Sequence, residues 1–156
     1  MDLIIAFICV GNSCRSQMAE GFARYYLKDI PGKNIKIYSA GTHPAGFIMP
    51  YTLEVMEEKN IDISRQYPKT IHKIPPDPDL VFTMGCNVDC PHLPSKYRAD
   101  WNLEDPVGKS LEFYRQTRDK IELSVKDLAE IIKKSATSEE VIKNLKNLQL
   151  KNMGPL

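Results

Sequence analysis

The stretch Ile4-Ile5-Ala6-Phe7-Ile8-Cys9-Val10-Gly11-Asn12-Ser13-Cys14-Arg15-Ser16-Gln17-Met18-Ala19-Glu20 decides the fold. Its first five residues are an unbroken apolar run, the pattern of a strand buried on both faces. From Ser16 onward the pattern turns helical, with Met18, Phe22 and Tyr25 or Tyr26 on one face. A strand feeding a helix through so short a loop aims successive backbone N–H groups and a helix N-terminus at one spot, which suits a bound oxyanion. The loop comprises Val10, Gly11, Asn12, Ser13, Cys14, Arg15 and Ser16. A Cys9 thiol held there is pushed toward thiolate by the same positive field. Arg15, six positions on, can grip two oxygens of a tetrahedral anion through its planar fork. The segment is suited to attack by sulfur on an anion.

Outward from this motif, strand-like runs recur at residues 35–39 and 80–84, and residues 98–103 offer a short fourth strand. Helical patterns separate or follow them. Residues 52–59 carry Leu53 and Met56 ahead of Asn60, a helix-ending residue. Residues 110–134 place Leu111, Tyr114, Ile121, Val125, Leu128 and Ile132 on one stripe behind a Ser110 N-cap. Alternating strands and helices predict an α/β fold: a small doubly wound, four-stranded parallel sheet with helices on both faces. Such sheets bind ligands at the carboxyl ends of their strands. Cys9 follows the first strand, Cys86 the third and Asp105 the possible fourth, so three reactive groups converge on one edge.

The reading divides the chain into a catalytic domain at residues 1–135 and a C-terminal helical extension at 136–156. Thr137-Ser138-Glu139-Glu140 is a capping box that opens the extension, and Val141, Leu145 and Leu148 form its apolar stripe. Over 156 residues, 21 Lys and Arg nearly balance 20 Asp and Glu. That balance argues against a general affinity for nucleic acid or anionic lipid. No apolar run approaches the roughly 18 residues of a membrane span, and the start lacks the basic region of a secretory signal. A cytoplasmic location is expected. There, cysteines 9, 14, 86 and 90 serve catalysis, redox exchange or metal binding rather than structural disulfides.

Cys9 to Ser16, then Ser39-Ala40-Gly41-Thr42, then Asp105-Pro106 resemble the low-molecular-weight tyrosine phosphatase superfamily in order over residues 3–134. Within it the chain is most similar to the arsenate reductases. Gln17 stands where phosphatases usually have proline, and Cys86 and Cys90 form a pair that typical phosphatases lack. The resemblance implies an arsenate reductase of the thioredoxin-coupled type. Cys9 would attack arsenic, Arg15 and the loop amides would hold the oxygens, and Asp105 would protonate the leaving oxygen. Cys86 and Cys90 would then pass the disulfide outward to a thioredoxin-like protein or a low-molecular-weight thiol, with no bound cofactor. Some related reductases bind potassium through an Asn, a Glu, a Ser and an Asp. Asn12, Glu20 and Ser39 match three positions, but the fourth falls near Lys69, whose ammonium cannot coordinate a cation.

Competing readings remain open at this point. A phosphotyrosine phosphatase would use Cys9, Arg15 and Asp105 alone, through a phosphocysteine. However, the residues after the Asp-Pro pair are Val107-Gly108-Lys109, without the tyrosines that wall an aromatic substrate in such phosphatases. An oxyanion sensor is a third possibility. Cys86, Cys90 and His92 could instead hold zinc, although four ligands are usual and no second Cys/His pair is near. Cys14 reads as a small buried hydrophobe. Glu54, Glu57 and Glu58 read as the wet face of a helix, and Asp105 could merely cap a turn.

Overall fold

β1 spans Asp2–Cys9 and sits inside the sheet, paired in parallel with a strand on each side, so its later side chains are shut off from water. Ile5, Ala6, Phe7 and Ile8 have no exposed surface. The computed structural model describes residues 1–85 and 93–153. Its other strands are β2 (Asn34–Gly41), β3 (Leu80–Thr83) and β4 (Tyr97–Asp100), in the all-parallel order β2-β1-β3-β4. The helices are α1 (Arg15–Tyr26), α2 (Pro50–Glu57), α3 (Leu111–Lys134) and α4 (Ser138–Met153), with a 3-10 turn at Ile71–Lys73. β2 lies on one side of β1 and β3 on the other, so the strand order reverses at β1. The carboxyl end of β1, where Cys9 pairs with Gly41, is therefore the natural crevice of the sheet.

The period-two alternation of β1 sorts its side chains between two cores. Leu3, Ile5, Phe7 and Cys9 face Met18 and Phe22 of α1, Met56 of α2, and Ile121, Val125 and Ile132 of α3. Trp101 closes this side, its ring tilted against Phe7 and Phe82 at 5.6 and 5.1 Å. The opposite face is narrower. Ala6, Ile8, Ala40 and Val81 pack with Ile74 and Leu93, and Ile71 of the 3-10 turn lies at their margin. Among the described residues the helical cover on that face is this single turn. No helix among them is long and apolar enough to cross a membrane.

Local rules place the element ends. Ser110 caps α3 through its hydroxyl, which accepts the Phe113 N–H at 3.1 Å. α2 starts at Pro50, two residues before the sequence pattern, because proline's fixed φ suits a first helical position. It is followed by Asn60 in the left-handed region (φ 60°). β4 stops at Asp100, short of the expected Leu103, because Asn102 takes φ 52° and bends the chain. At α4, Thr137 Oγ1 accepts the Glu140 N–H and the Glu140 carboxylate accepts the Ala136 N–H, a near-reciprocal cap. Val141 and Leu145 anchor that helix in the core.

Glu58 is exposed, as its wet-face reading expects, but it also carries an ion-pair cluster. Arg115 reaches its carboxylate at 2.8 Å and the buried Arg118 at 2.6 Å, while Arg118 also donates to the Val55 carbonyl. The cluster ties the end of α2 to α3. Hydrogen bonds from Arg115, then Arg118, pull the Glu58 carboxyl from 4.5 down to about 2. A carboxyl lowered in the folded state contributes stability above its unfolded pKa and loses it as the folded pKa is approached. Glu58→Gln should lower stability near neutral pH and flatten its fall between pH 4.5 and about 2, as read by urea denaturation across that range.

Candidate active site

The loop after β1 is shaped by where its carbonyls go. Val10 C=O accepts the His43 N–H, Gly11 C=O the Ala45 N–H and Ser13 C=O the Met49 N–H, at 2.9, 2.9 and 3.1 Å. Asn12 C=O accepts Gln17 Nε2 at 2.9 Å. A planar trans peptide points its C=O and the next N–H in opposite directions. Four carbonyls turned outward therefore turn the N–H groups of Gly11, Asn12, Ser13 and Cys14 inward. The Asn12 N–H donates to Cys9 Sγ at 3.1 Å, in keeping with that geometry. Cys14 makes no side-chain cap on α1, so the amides of that first turn add to the same concavity.

Gly41 makes the approach possible. A Cβ there would stand 2.3 Å from the Val10 carbonyl oxygen, backbone against backbone. The end of β2 can thus serve as the mould for the loop only without a side chain.

Asn12 is the hub of the loop. It takes φ 50°, a left-handed conformation that asparagine tolerates, and it is fully buried. Its Oδ1 accepts the Lys69 N–H at 3.0 Å, which fixes the amide's orientation, and its Nδ2 donates to Ser16 Oγ at 2.8 Å. With an acceptor site of Ser16 thus filled, its hydroxyl proton is free to point at Cys9 Sγ, 2.8 Å away. The sulfur thus accepts the Asn12 N–H and lies within hydrogen-bond distance of the Ser16 hydroxyl.

Arg15 is buried and held from below. Its Nη1 donates to the carbonyls of Met84 and Leu103, both at 2.8 Å, and its Nη2 lies 3.8 Å from the Asp105 carboxylate. These two carbonyls belong to the end of β3 and the loop after β4. The carboxylate of Asp100 binds those segments together, accepting from Thr83 Oγ1, the Gly85 N–H and the Asn102 N–H. Gly85 (φ 101°) lies so close to Leu103 that a Cβ would stand 2.4 Å from its carbonyl oxygen. Asp105 is exposed, and its other oxygen accepts the Val107 N–H at 3.1 Å. The structure thus brings Cys9, the loop 10–16, Arg15 and Asp105 to one edge. Cys86 and Cys90, with His92, lie outside the described residues. Among the described residues, no group of three or more His, Cys, Asp and Glu could hold a metal ion.

Cys14 is turned away from Cys9, its sulfur 3.6 Å from the Tyr114 hydroxyl. Burial pushes the Cys14 thiol up, as it does the Tyr114 phenol. Behind the loop, Lys69 Nζ donates to the Ser39 carbonyl at 3.1 Å and lies 3.9 Å from Glu20, which also accepts the Ser39 hydroxyl at 2.6 Å. Burial pulls the Lys69 ammonium below the ordinary lysine range, with Arg24 adding to that effect and Glu20 opposing it. Of the three residues that resemble potassium ligands, Ser39 and Glu20 thus already face a fixed ammonium and Asn12 Oδ1 is taken by the Lys69 main-chain N–H, so this donor set does not fit an alkali cation.

Asp100 and Gln17 went unread in the sequence as supports of the site. Asp100 had a faint signal in its Asp-Trp-Asn spacing, which permits a side chain to bond the N–H two residues on. The main-chain oxygens of Met84 and Leu103 have no sequence signature.

The family profile described as low molecular weight phosphotyrosine protein phosphatase matches residues 4–138. The chain belongs to this family. A protein from Staphylococcus xylosus named arsenate reductase is 42% identical over 127 residues, covering 79% of this chain and 93% of its own. A solved structure described as an arsenate reductase in the phosphate binding state superposes with a TM-score of 0.71. It is 36% identical and covers 82% of this chain and 97% of that one. A thioredoxin-dependent arsenate reductase of Corynebacterium glutamicum gives 0.64 at 32% identity, covering 82% of this chain and 60% of that one.

Exchanging sodium chloride for potassium chloride at constant ionic strength should leave the thermal midpoint unchanged. Lys69→Asp, which replaces the ammonium with a further oxygen ligand, should make the midpoint rise with potassium. A wild-type response to potassium would contradict the reading of Lys69.

Proposed function

We propose that the protein is an arsenate reductase in which Cys9 is the nucleophile and Cys86 and Cys90 carry the electrons away. The observation that supports this most is the 42% identity over 79% of the chain to a relative named arsenate reductase. The anion-shaped loop around Cys9 supplies the chemistry. Cys9 thiolate attacks arsenic while Arg15 and the inward amides hold the remaining oxygens. Asp105 protonates the departing oxygen, which leaves as water. Cys86 thiolate attacks Cys9 sulfur. The arsenic–sulfur bonding pair passes to arsenic, which leaves as arsenite, and a Cys9–Cys86 disulfide remains. Cys90 then attacks Cys86, forming Cys86–Cys90 and returning Cys9 as thiolate. An external dithiol of the thioredoxin kind reduces that bond. The name of the Corynebacterium glutamicum neighbour supports this donor over a small thiol.

The same reading takes residues 1–135 as the catalytic domain and 136–156 as a helical extension, because the pattern changes after Lys134, where α3 ends. It sets the reaction in the cytoplasm, where reduced thiols persist.

A second reading has its own support. Between the start of α2 and the loop that follows Asp105 lies a cleft of about 340 Å³ lined by Met49, Pro50, Tyr51, Gly108, Lys109 and Tyr114, with the Tyr51 and Tyr114 rings edge to face at 5.5 Å. Although the Asp-Pro pair is followed by no tyrosine, this apolar cleft could seat an aromatic leaving group, as a protein tyrosine phosphatase requires.

Arsenate turnover with a thioredoxin system, measured beside aryl phosphate hydrolysis, separates the two. Cys9→Ser should abolish both activities. Cys86→Ser and Cys90→Ser should abolish arsenate turnover while sparing any hydrolysis, and Cys90→Ser should still complete one turnover. Arsenate reduction that survives both later substitutions removes the relay. Hydrolysis without reduction moves the protein to the second reading.

A further inference from the structure

We propose that Gln17 is a positioning residue that locks the Asn12–Ser13 peptide in the orientation that binds oxyanions. The inference rests on the oxyanion-binding reading above and extends it beyond the loop 10–16. Gln17 is the third residue of α1 and fully buried, although a glutamine carries two donors and an acceptor that burial would leave costly if unpaired. Every one of them is used. Nε2 donates to the Asn12 carbonyl at 2.9 Å and to the Tyr67 carbonyl at 3.1 Å. Oε1 accepts from Gln66 Nε2 at 2.9 Å, and the same Gln66 amide bonds the Gln17 carbonyl at 3.0 Å.

The bond to Asn12 has the functional consequence. The three other outward loop carbonyls are held by main-chain N–H groups of residues 43–49, but among the described residues the Asn12 carbonyl has only this side chain. Asn12 already occupies a left-handed conformation at φ 50°. Without the Gln17 donor, its carbonyl would be buried and unpaired, and a rotation of the Asn12–Ser13 peptide would carry it into the concavity. That rotation would remove the Ser13 N–H from the anion and put a carbonyl dipole of the wrong sign in its place. Gln17 therefore sets the sign of the field at one wall of the site without touching the ligand.

The test uses inorganic phosphate as probe, since its binding does not depend on which reaction follows. Gln17→Leu keeps the bulk and removes both donors, and its phosphate Kd should rise about tenfold. Should that variant fail to fold, Gln17→Glu supplies the measurement. A protonated glutamic acid can donate to the Asn12 carbonyl, but an ionised one cannot and repels it. The ratio of variant to wild-type Kd should therefore climb as pH rises. Cys9, Arg15, Glu20, Tyr67 and Lys69 surround the site in both proteins, so the ratio isolates position 17. Gln66→Ala, which leaves the Asn12 bond intact, should bind phosphate within about twofold of wild type.

A Gln17→Leu protein that folds and binds phosphate like wild type overturns the inference. So does a Gln17→Glu ratio that is flat with pH, or a Gln66→Ala loss as large as that of Gln17→Leu, which would mark a merely structural staple. Wild type that binds neither phosphate nor arsenate would instead sink the oxyanion reading itself, and this inference with it.

Discussion

The site depends on one constraint: the backbone between Cys9 and Arg15 must show its amides to the ligand and its carbonyls to the protein. Left to itself, a short peptide loop has no reason to sort its dipoles this way, because water would satisfy either orientation. Here the sorting is imposed by the segment after β2, which offers N–H groups at His43, Ala45 and Met49 to the loop's oxygens. The two segments can meet because Gly41 brings no side chain between them. The anion-binding character of the loop is thus made by residues thirty positions away, through bonds that carry no charge.

Charge is managed separately, in two layers. In front, the guanidinium of Arg15 is fixed on two carbonyls, so its positive charge is oriented without being neutralised, and Asp105 stands near enough to share it. Behind, the carboxylate of Glu20 lies between Arg24 and Lys69, close to the support of the loop. Lys69 unites the two systems, since its main-chain N–H holds Asn12 and its ammonium holds the Ser39 carbonyl near Glu20. The cation behind the loop is covalently part of the chain, and its presence costs none of the ordering that capture of a free ion would require.

Much of this was legible in the sequence because it rests on period and spacing. The apolar run of β1, the stripe of α3 and the Ser110 cap are local signals, and the structure places each within a residue or two. The approach of Cys9 and Asp105 followed from a general property of parallel sheets, which also put Cys86 at that edge, outside the described residues, while Arg15 came from its spacing to Cys9. What stayed hidden was non-local or belonged to the backbone. Glu58 lies at the surface as read, but nothing local announced the two arginines that α3 brings to it. Gln17 looked like a lineage marker, whereas its work is done on a carbonyl and two residues near position 66. Asp100 offered only a turn-like spacing, and its partners Thr83 and Gly85 lie across a strand pairing.

The in-step ending of β1 and β2, with Cys9 opposite Gly41, sets a rule for how the chain can vary in length. Side chains of a strand alternate, so one residue gained or lost within β1 would send Cys9 to the face of Ala6 and Ile8 and bring those two into the larger core. The stretch from Leu3 to Ser16 therefore behaves as a ruler of fixed length. Insertions can be absorbed in the exposed turn between α1 and β2, which ends in Gly32 at φ 73° with open space around it.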